Sequence, residues 1–371
     1  MVEWKKLGEV CCVHTGGQLN RSDMIDNGLY PVINGGRTPS GYTNSFNEEA
    51  DSITISQGGE SAGFVNWMSE KFWAGAHCYV VEHNENINGR FLYHSLKNIE
   101  NVLQASKQGA GIPGLNRKTL YQQVIPIPSL SEQSRIVGIL DTFTASIANL
   151  KEQIGERRKQ YEHYRDQLLD LEGKEGVEMI SIGELFEFKN GLNKEKQYFG
   201  QGTPIVNYTD VYHNHKITRD SLNGRVTLAE SEILRYNVLR GDVFFTRTSE
   251  TKEEIGFAAV MLDNIENCTF SGFLLRARPI TGLLIPDFCG YCFASFRVRQ
   301  EIIKYSTYTT RALTNGTSLS KIKIPVPSLE EQSRIVSILD QFEASIANLE
   351  AQLQEREKQY EHYRNLLLTF E

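Results

Sequence analysis

The sequence predicts an α+β protein: two globular lobes separated by two long antiparallel coiled-coil helices, related by a pseudo-two-fold internal repeat. Three observations predict it. The heptapeptide KQYEHYR stands at 159–165 and again at 358–364, and the match extends at that offset to 33 of the 45 positions from Ile125 to Leu169. Inside each copy the apolar residues step alternately by four and three. In front of each copy lies a segment of short strand patterns and Gly/Asn-rich turns.

The first lobe is expected over residues 1–128 and the second over 173–327. Each mixes short alternating strands, such as 51–56 and 242–246, with turns and a late helix, at Arg90–Lys97 and at Phe288–Lys304. The lobes match only weakly. Leu7-Gly-Glu-Val10 compares with Ile182-Gly-Glu-Leu185, Thr15-Gly16 with Asn190-Gly191, and Pro31-Val-Ile-Asn34 with Pro204-Ile-Val-Asn207.

The repeated blocks, 129–172 and 328–371, read as the two helices. Pro126 and Pro128, like Pro325 and Pro327, make an extended lead that disfavours helix before them. Ser129-x-x-Glu132 and Ser328-x-x-Glu331 then fit the capping box. The apolar series runs Ile136, Leu140, Phe143, Ile147, Leu150, Ile154, Arg157, Tyr161, Tyr164, Leu168, Leu171 in the first copy. In the second it runs Ile335, Leu339, Phe342, Ile346, Leu349, Leu353, Arg356, Tyr360, Tyr363, Leu367, Phe370. A 3.5-residue period held over five heptads is a coiled-coil seam. Gly173 and Gly176 are expected to end the first helix. At 1.5 Å per residue, about 40 residues make a rod of roughly 60 Å.

Helix direction follows from chain order. The second helix starts where the second lobe ends, beside the far end of the first helix, and so runs back antiparallel. Arg157 and Arg356 share one seam position and read as stems that pack and fix register, not as catalytic groups. The paired tyrosines read as core-edge aromatics.

Composition bounds the function. The net charge is −7, and the repeats hold the acid: residues 1–128 carry −2, residues 173–327 carry +2, and the two blocks together carry −7. Whole-protein charge therefore gives no support for nucleic-acid binding. Six cysteines without regular spacing suit a reducing cytosol. No apolar leader segment and no run of 18 apolar residues is present, so the expectation is a cytoplasmic protein without membrane contact.

Catalytic motifs are missing. The prolines are never adjacent, which excludes the Asn/Asp-Pro-Pro-aromatic motif of amino-methyltransferases, and no G-x-x-x-x-G-K-[ST] loop occurs. The Gly-rich stretch 56–63 lacks the phosphate-reaching lysine and reads as a surface turn. Cys289-x-x-Cys292 stands alone in an apolar helical pattern, so buried cysteines fit better than a zinc site. No metal ligand set and no catalytic residue is assigned.

Two copies of I-P-[IV]-P-S-L-x-E-Q-x-R-I-V-x-I-L-D, each followed by a long helix and preceded by a divergent lobe, resemble the DNA-specificity subunit of type I restriction–modification systems. The likeness spans the whole chain. It implies that each lobe is a target recognition domain for one half of a bipartite, asymmetric site in double-stranded DNA. It also implies that the helices act as spacer and as docking surface for two modification subunits, through which restriction subunits join. S-adenosylmethionine, ATP and Mg are implied for those partners, and no cofactor for this chain. Two heads could then read major-groove patches about one helical turn, ~34 Å, apart.

Base edges favour Arg, Lys, Asn and Gln on loops. Candidate contacts are Gln18, Asn20, Arg21, Arg37, Gln57, Lys107 and Gln108 in the first lobe. In the second they are Lys189, Asn190, Lys194, Arg247, Lys252, Arg311 and Asn315. The competing reading is a non-catalytic two-headed coiled-coil scaffold whose lobes bind other proteins.

Overall fold

In a computed structural model, which describes residues 2–109 and 113–370, the chain is mixed α+β with a duplicated plan. Its contacts group residues 1–153 with 349–371 into one unit and residues 154–348 into another. Each unit thus holds one lobe together with part of both long helices, Leu130–Leu169 and Leu329–Leu368.

The Pro-rich leads form strands. Val124–Ile127 pairs antiparallel with Glu3–Lys6, and Lys323–Val326 pairs in the same way with Glu178–Ser181. The helix that follows opens with half of the expected capping box. The Ser129 hydroxyl accepts the Glu132 amide at 3.4 Å, and Ser328 accepts that of Glu331 at 3.2 Å. The two glutamates turn instead to Arg135 and Arg334, one turn on, with bidentate bonds of 2.7–2.9 Å. The first helix stops at Leu169, three residues short of the expected boundary. Gly173 and Gly176 lie in the turns beyond it with φ of +74° and +75°.

The helices are antiparallel within each unit. In the first, Phe143 stacks on Tyr363 at 5.2 Å and Lys151 pairs with Glu357 at 2.9 Å, so positions that rise along one helix meet positions that fall along the other. In the second, Tyr164 stacks on Phe342 at 5.4 Å, and the Tyr161 hydroxyl donates to Glu343 at 2.9 Å. Arg157 lies 5.8 Å from the Phe342 ring and Arg356 lies 5.7 Å from the Phe143 ring, so both arginine stems pack on the repeat-equivalent phenylalanine. Ile136, Leu140, Ile335 and Leu339 are fully buried because their turns enter the lobe cores. Each contributes about 1.5–3 kcal/mol. Phe143, Ile147, Leu150, Ile346, Leu349 and Leu353 are half-buried, as two helices alone cover only one side of each other.

Each lobe is built on an antiparallel sheet of one strand order. In the first lobe the order is Cys11–Thr15, Cys78–His83, Ser52–Ser56, Val65–Met68; in the second it is Phe186–Asn190, Leu274–Pro279, Val243–Thr246, Ala258–Met261. The second lobe adds a parallel edge strand, Lys216–Ile217. Burial along the central strands does not alternate. Val243 and Phe245 face the core shared with the helices, while Phe244 enters a separate core with Val206 and Phe270. Covered on both faces, the strand loses the period-two signal expected at 51–56 and 242–246. Gly16 and Gly191 match for a steric reason: a Cβ there would sit 2.0 Å from the carbonyl oxygens of Ala74 and Ser271.

The late helix of the first lobe is Gly89–Asn98. In the second lobe the expected single helix over Phe288–Lys304 is two helices, Pro286–Ala294 and Phe296–Tyr305. Ser295 breaks it: its backbone is extended, and its hydroxyl caps the Val298 amide. Cys289 and Cys292 are free and buried in this lobe's core, and burial pushes the Cys292 thiol up to about 12. Among the described residues no helix is long and apolar enough to cross a membrane.

Candidate nucleic-acid interface

A recognition lobe must first be held rigidly by its helices, and two identical side chains do this in both copies. Gln133 and Gln332 are fully buried. Gln133 accepts the Asn88 amide at 2.8 Å and donates to the carbonyl oxygen of Pro128 at 2.9 Å; Gln332 accepts the Ile285 amide at 2.9 Å and donates to that of Pro327 at 2.9 Å. Each glutamine joins the residue before the lobe's late helix to the lead of the long helix.

About two turns further on, a repeated aspartate binds the lobe. Asp141 takes Arg90 through bonds of 3.1 and 3.2 Å and His94 Nε2 at 2.8 Å. Asp340 takes Lys216 and, at 2.6 Å, the hydroxyl of Tyr291. Burial pushes the Asp141 carboxyl up, but the His94 and Arg90 bonds and the guanidinium charge outweigh it and hold the group at about 2. Glu343 behaves alike. Burial opposes it, while His215, Lys216 and Tyr161 bring it to about 2. Burial holds His94 below its ordinary value and outweighs Asp141, so the ring is neutral, with Nε2–H donated to Asp141 and Nδ1 left to accept from Tyr360.

The candidate contact residues fall into clusters. Gln18, Asn20 and Arg21 are exposed on one loop, where Asn20 leads a short 3-10 turn. Gln57, Lys107 and Gln108 meet around the loop 57–63. Lys107 donates to the Glu60 carbonyl oxygen at 2.8 Å, and Gln108 pairs through its backbone with Gly114, which also bridges to Gly58. Arg37 approaches the same loop, 5.6 Å from the Phe64 ring.

In the second lobe Asn190, Arg247 and Asn315 line one open cleft of about 900 Å³. The Asn315 side-chain oxygen is used in capping the Ser318 amide, which leaves its NH₂ for a ligand. Lys194 is paired with Glu232 at 2.8 Å. Lys189 donates to the Arg235 carbonyl oxygen, and burial together with Arg276, Arg235 and Arg278 lowers its pKa. Lys252 is exposed, and Arg311 is exposed 3.8 Å from Glu250. The structure therefore gathers three of the seven second-lobe candidates and leaves four apart.

Sequence reasoning passed over the clamps. Gln133 with Gln332, and Asp141 with Asp340, are polar identities close to the seam residues Ile136, Leu140, Ile335 and Leu339, and that was the available signal. Arg90, His94, Lys216 and Tyr291 carried none, because the lobes diverge where they meet the helices.

Two lobes of one strand order, each clamped by the same glutamine and aspartate but presenting different polar loops, define a duplicated two-lobed protein on a repeated helical frame. The comparisons agree. The type I restriction–modification DNA specificity domain matches residues 1–157 and again 174–358. The Escherichia coli EcoR124I/EcoR124II specificity subunit is 28% identical over 100% of this chain and 94% of its own. The type I S subunit structure from M. genitalium shares the fold with a TM-score of 0.67 at 18% identity, covering 100% of this chain and 97% of the other. A chain from a structure describing complex assembly of the type I R-M system gives a TM-score of 0.60 at 19% identity, over 99% and 96%. The chain belongs to the type I restriction–modification DNA specificity family, as its non-catalytic specificity subunit.

Proposed function

We propose that this chain reads a bipartite, asymmetric site in double-stranded DNA, with lobe 1–128 on one half-site and lobe 173–327 on the other. The helical blocks 129–172 and 328–371 set the spacing and dock two modification subunits, through which restriction subunits join. S-adenosylmethionine, ATP and Mg belong to those partner subunits, and this chain takes no cofactor. The observation that carries this reading is the contrast between copies: the clamps repeat, whereas the lobes they hold diverge, with Gln57 in the first standing where the second has Arg247. Equivalent frames suit one partner docking twice, and unlike loops suit two different half-sites. Phosphate neutralisation by the partners accounts for a net charge of −7 in a DNA-reading chain.

The test is to map methylated positions in the host genome with and without this gene, then after exchange of one lobe. A bipartite motif that depends on the gene, with one half altered by the exchange, is the expected result. If the chain with its cognate modification subunit shows no sequence-selective duplex binding, the protein-binding scaffold is correct instead.

A further inference from the structure

Superposing the strand registers of the two lobes pairs residues that the sequence does not align. Ser56 lies opposite Cys78 in the first sheet, and Thr246 lies opposite Leu274 in the second. The next residue is Gln57 in one lobe and Arg247 in the other, and each makes the same two backbone bonds. The Gln57 amide donates to the His77 carbonyl oxygen at 2.9 Å, and the Arg247 amide to that of Phe273 at 3.2 Å. Their own carbonyl oxygens accept the amides of Leu115 and Thr314, at 2.7 and 3.0 Å. Gln57 with His77 and Arg247 with Phe273 are therefore one two-residue unit filled differently in each lobe.

Phe273 is 67% exposed, and its carbonyl oxygen holds the amide of Arg247, which lines the cleft with Asn315. Folding does not require it there. Its turn is fixed from below: the Leu274 amide bonds the Ser271 carbonyl oxygen at 3.0 Å, the Gly272 amide bonds that of Leu192 at 2.7 Å, and Arg247 donates to that of Gly272 at 3.0 Å. An exposed aromatic ring on a rigid turn, one backbone bond from an arginine, has the chemistry for two adjacent major-groove features. Guanidinium suits guanine O6 and N7, and an apolar ring suits the thymine 5-methyl group. In the first lobe the same position offers a carboxamide, which suits adenine, and an imidazole.

Resting on the DNA-reading function above, we propose that Phe273 is a specificity-determining residue that packs on a thymine 5-methyl group next to the base read by Arg247, with His77 as its polar counterpart in the first lobe.

The test uses the full chain with its cognate modification subunit and duplexes in which each thymine of the mapped site is replaced in turn by deoxyuridine, which lacks only the methyl group. One replacement in the second half-site should weaken wild-type binding by about 5- to 10-fold. Phe273→Ala should show the same loss on normal DNA and no further loss at that thymine, while the first half-site stays equally discriminated. If wild type and Phe273→Ala respond alike to every replacement, or the half-site holds no thymine, this inference fails and the DNA-reading function stands. If wild type shows no selective binding to any duplex, both fail.

Discussion

The phenolic hydroxyl of Tyr360 donates to Nδ1 of His94 at 3.0 Å, although the two residues are 266 apart in the chain. The contact brings the last turns of the second long helix onto the first lobe, where the other nitrogen of the same imidazole holds Asp141. One buried neutral ring thus joins a lobe helix to both copies of the repeat. Tyr360→Phe removes the donor and leaves a buried acceptor unpaired. The expected cost is about 1–2 kcal/mol, read as a lower denaturation midpoint and faster amide exchange in Gly89–Asn98. Unchanged exchange in that helix would show that the bond contributes nothing.

His94 also sets a pH dependence. Its folded pKa lies below the ordinary 6.5, so between those values the unfolded chain binds more protons than the folded one. This contribution is complete above pH 6.5 and declines as pH falls through the lower folded value. Asp141 follows at more acid pH: its contribution is present above its ordinary 3.8 and is lost as pH falls through about 2. An NMR titration in which the His94 ring protonates at or above 6.5 would contradict the neutral, Asp141-bound tautomer. His94→Gln should flatten the stability curve of the first unit between pH 7 and 5.

Gln133→Leu and Gln332→Leu keep the side-chain volume but strand a buried amide and a buried carbonyl in each lobe. Each should cost its own unit about 1–3 kcal/mol, with amide exchange accelerated at Asn88 in one variant and at Ile285 in the other. Acceleration in neither unit would remove the glutamines from the clamp.

Arg247→Ala should weaken cognate DNA binding by about 1–3 kcal/mol and relax preference at one base pair. Lys252→Ala, on an exposed loop, should weaken all duplexes alike and reduce the salt slope by about one. If Arg247→Ala together with Arg311→Ala leaves affinity and base preference unchanged, the second-lobe contact set is wrong.

Inserting one heptad into both long helices lengthens each by about 10 Å. Under the proposed function the tolerated distance between half-sites then shifts, and the half-site sequences do not. Methylation mapping reads both quantities, and an altered half-site would separate spacing from the helices.

The sequence by itself determined the duplication, the long helices with their antiparallel sense, and the family. Those features rest on local periodicity and on a repeat that chain order constrains. The turn chemistry was partly legible too: Ser129 and Ser328 cap their helices, without the reciprocal glutamate bond expected of a capping box, whereas Ser295 divided a helix that looked continuous. Only the tertiary structure decided that Asp141 and Asp340 seize different partners, His94 with Arg90 in one copy and Lys216 with Tyr291 in the other. It alone placed Phe273 at the register position that His77 holds in the first lobe. The reason is physical. A helical seam repeats every few residues and can be read along one strand of text. A lobe surface is assembled from strand ends and turns far apart in sequence, and backbone register brings them together while leaving the side chains free to differ.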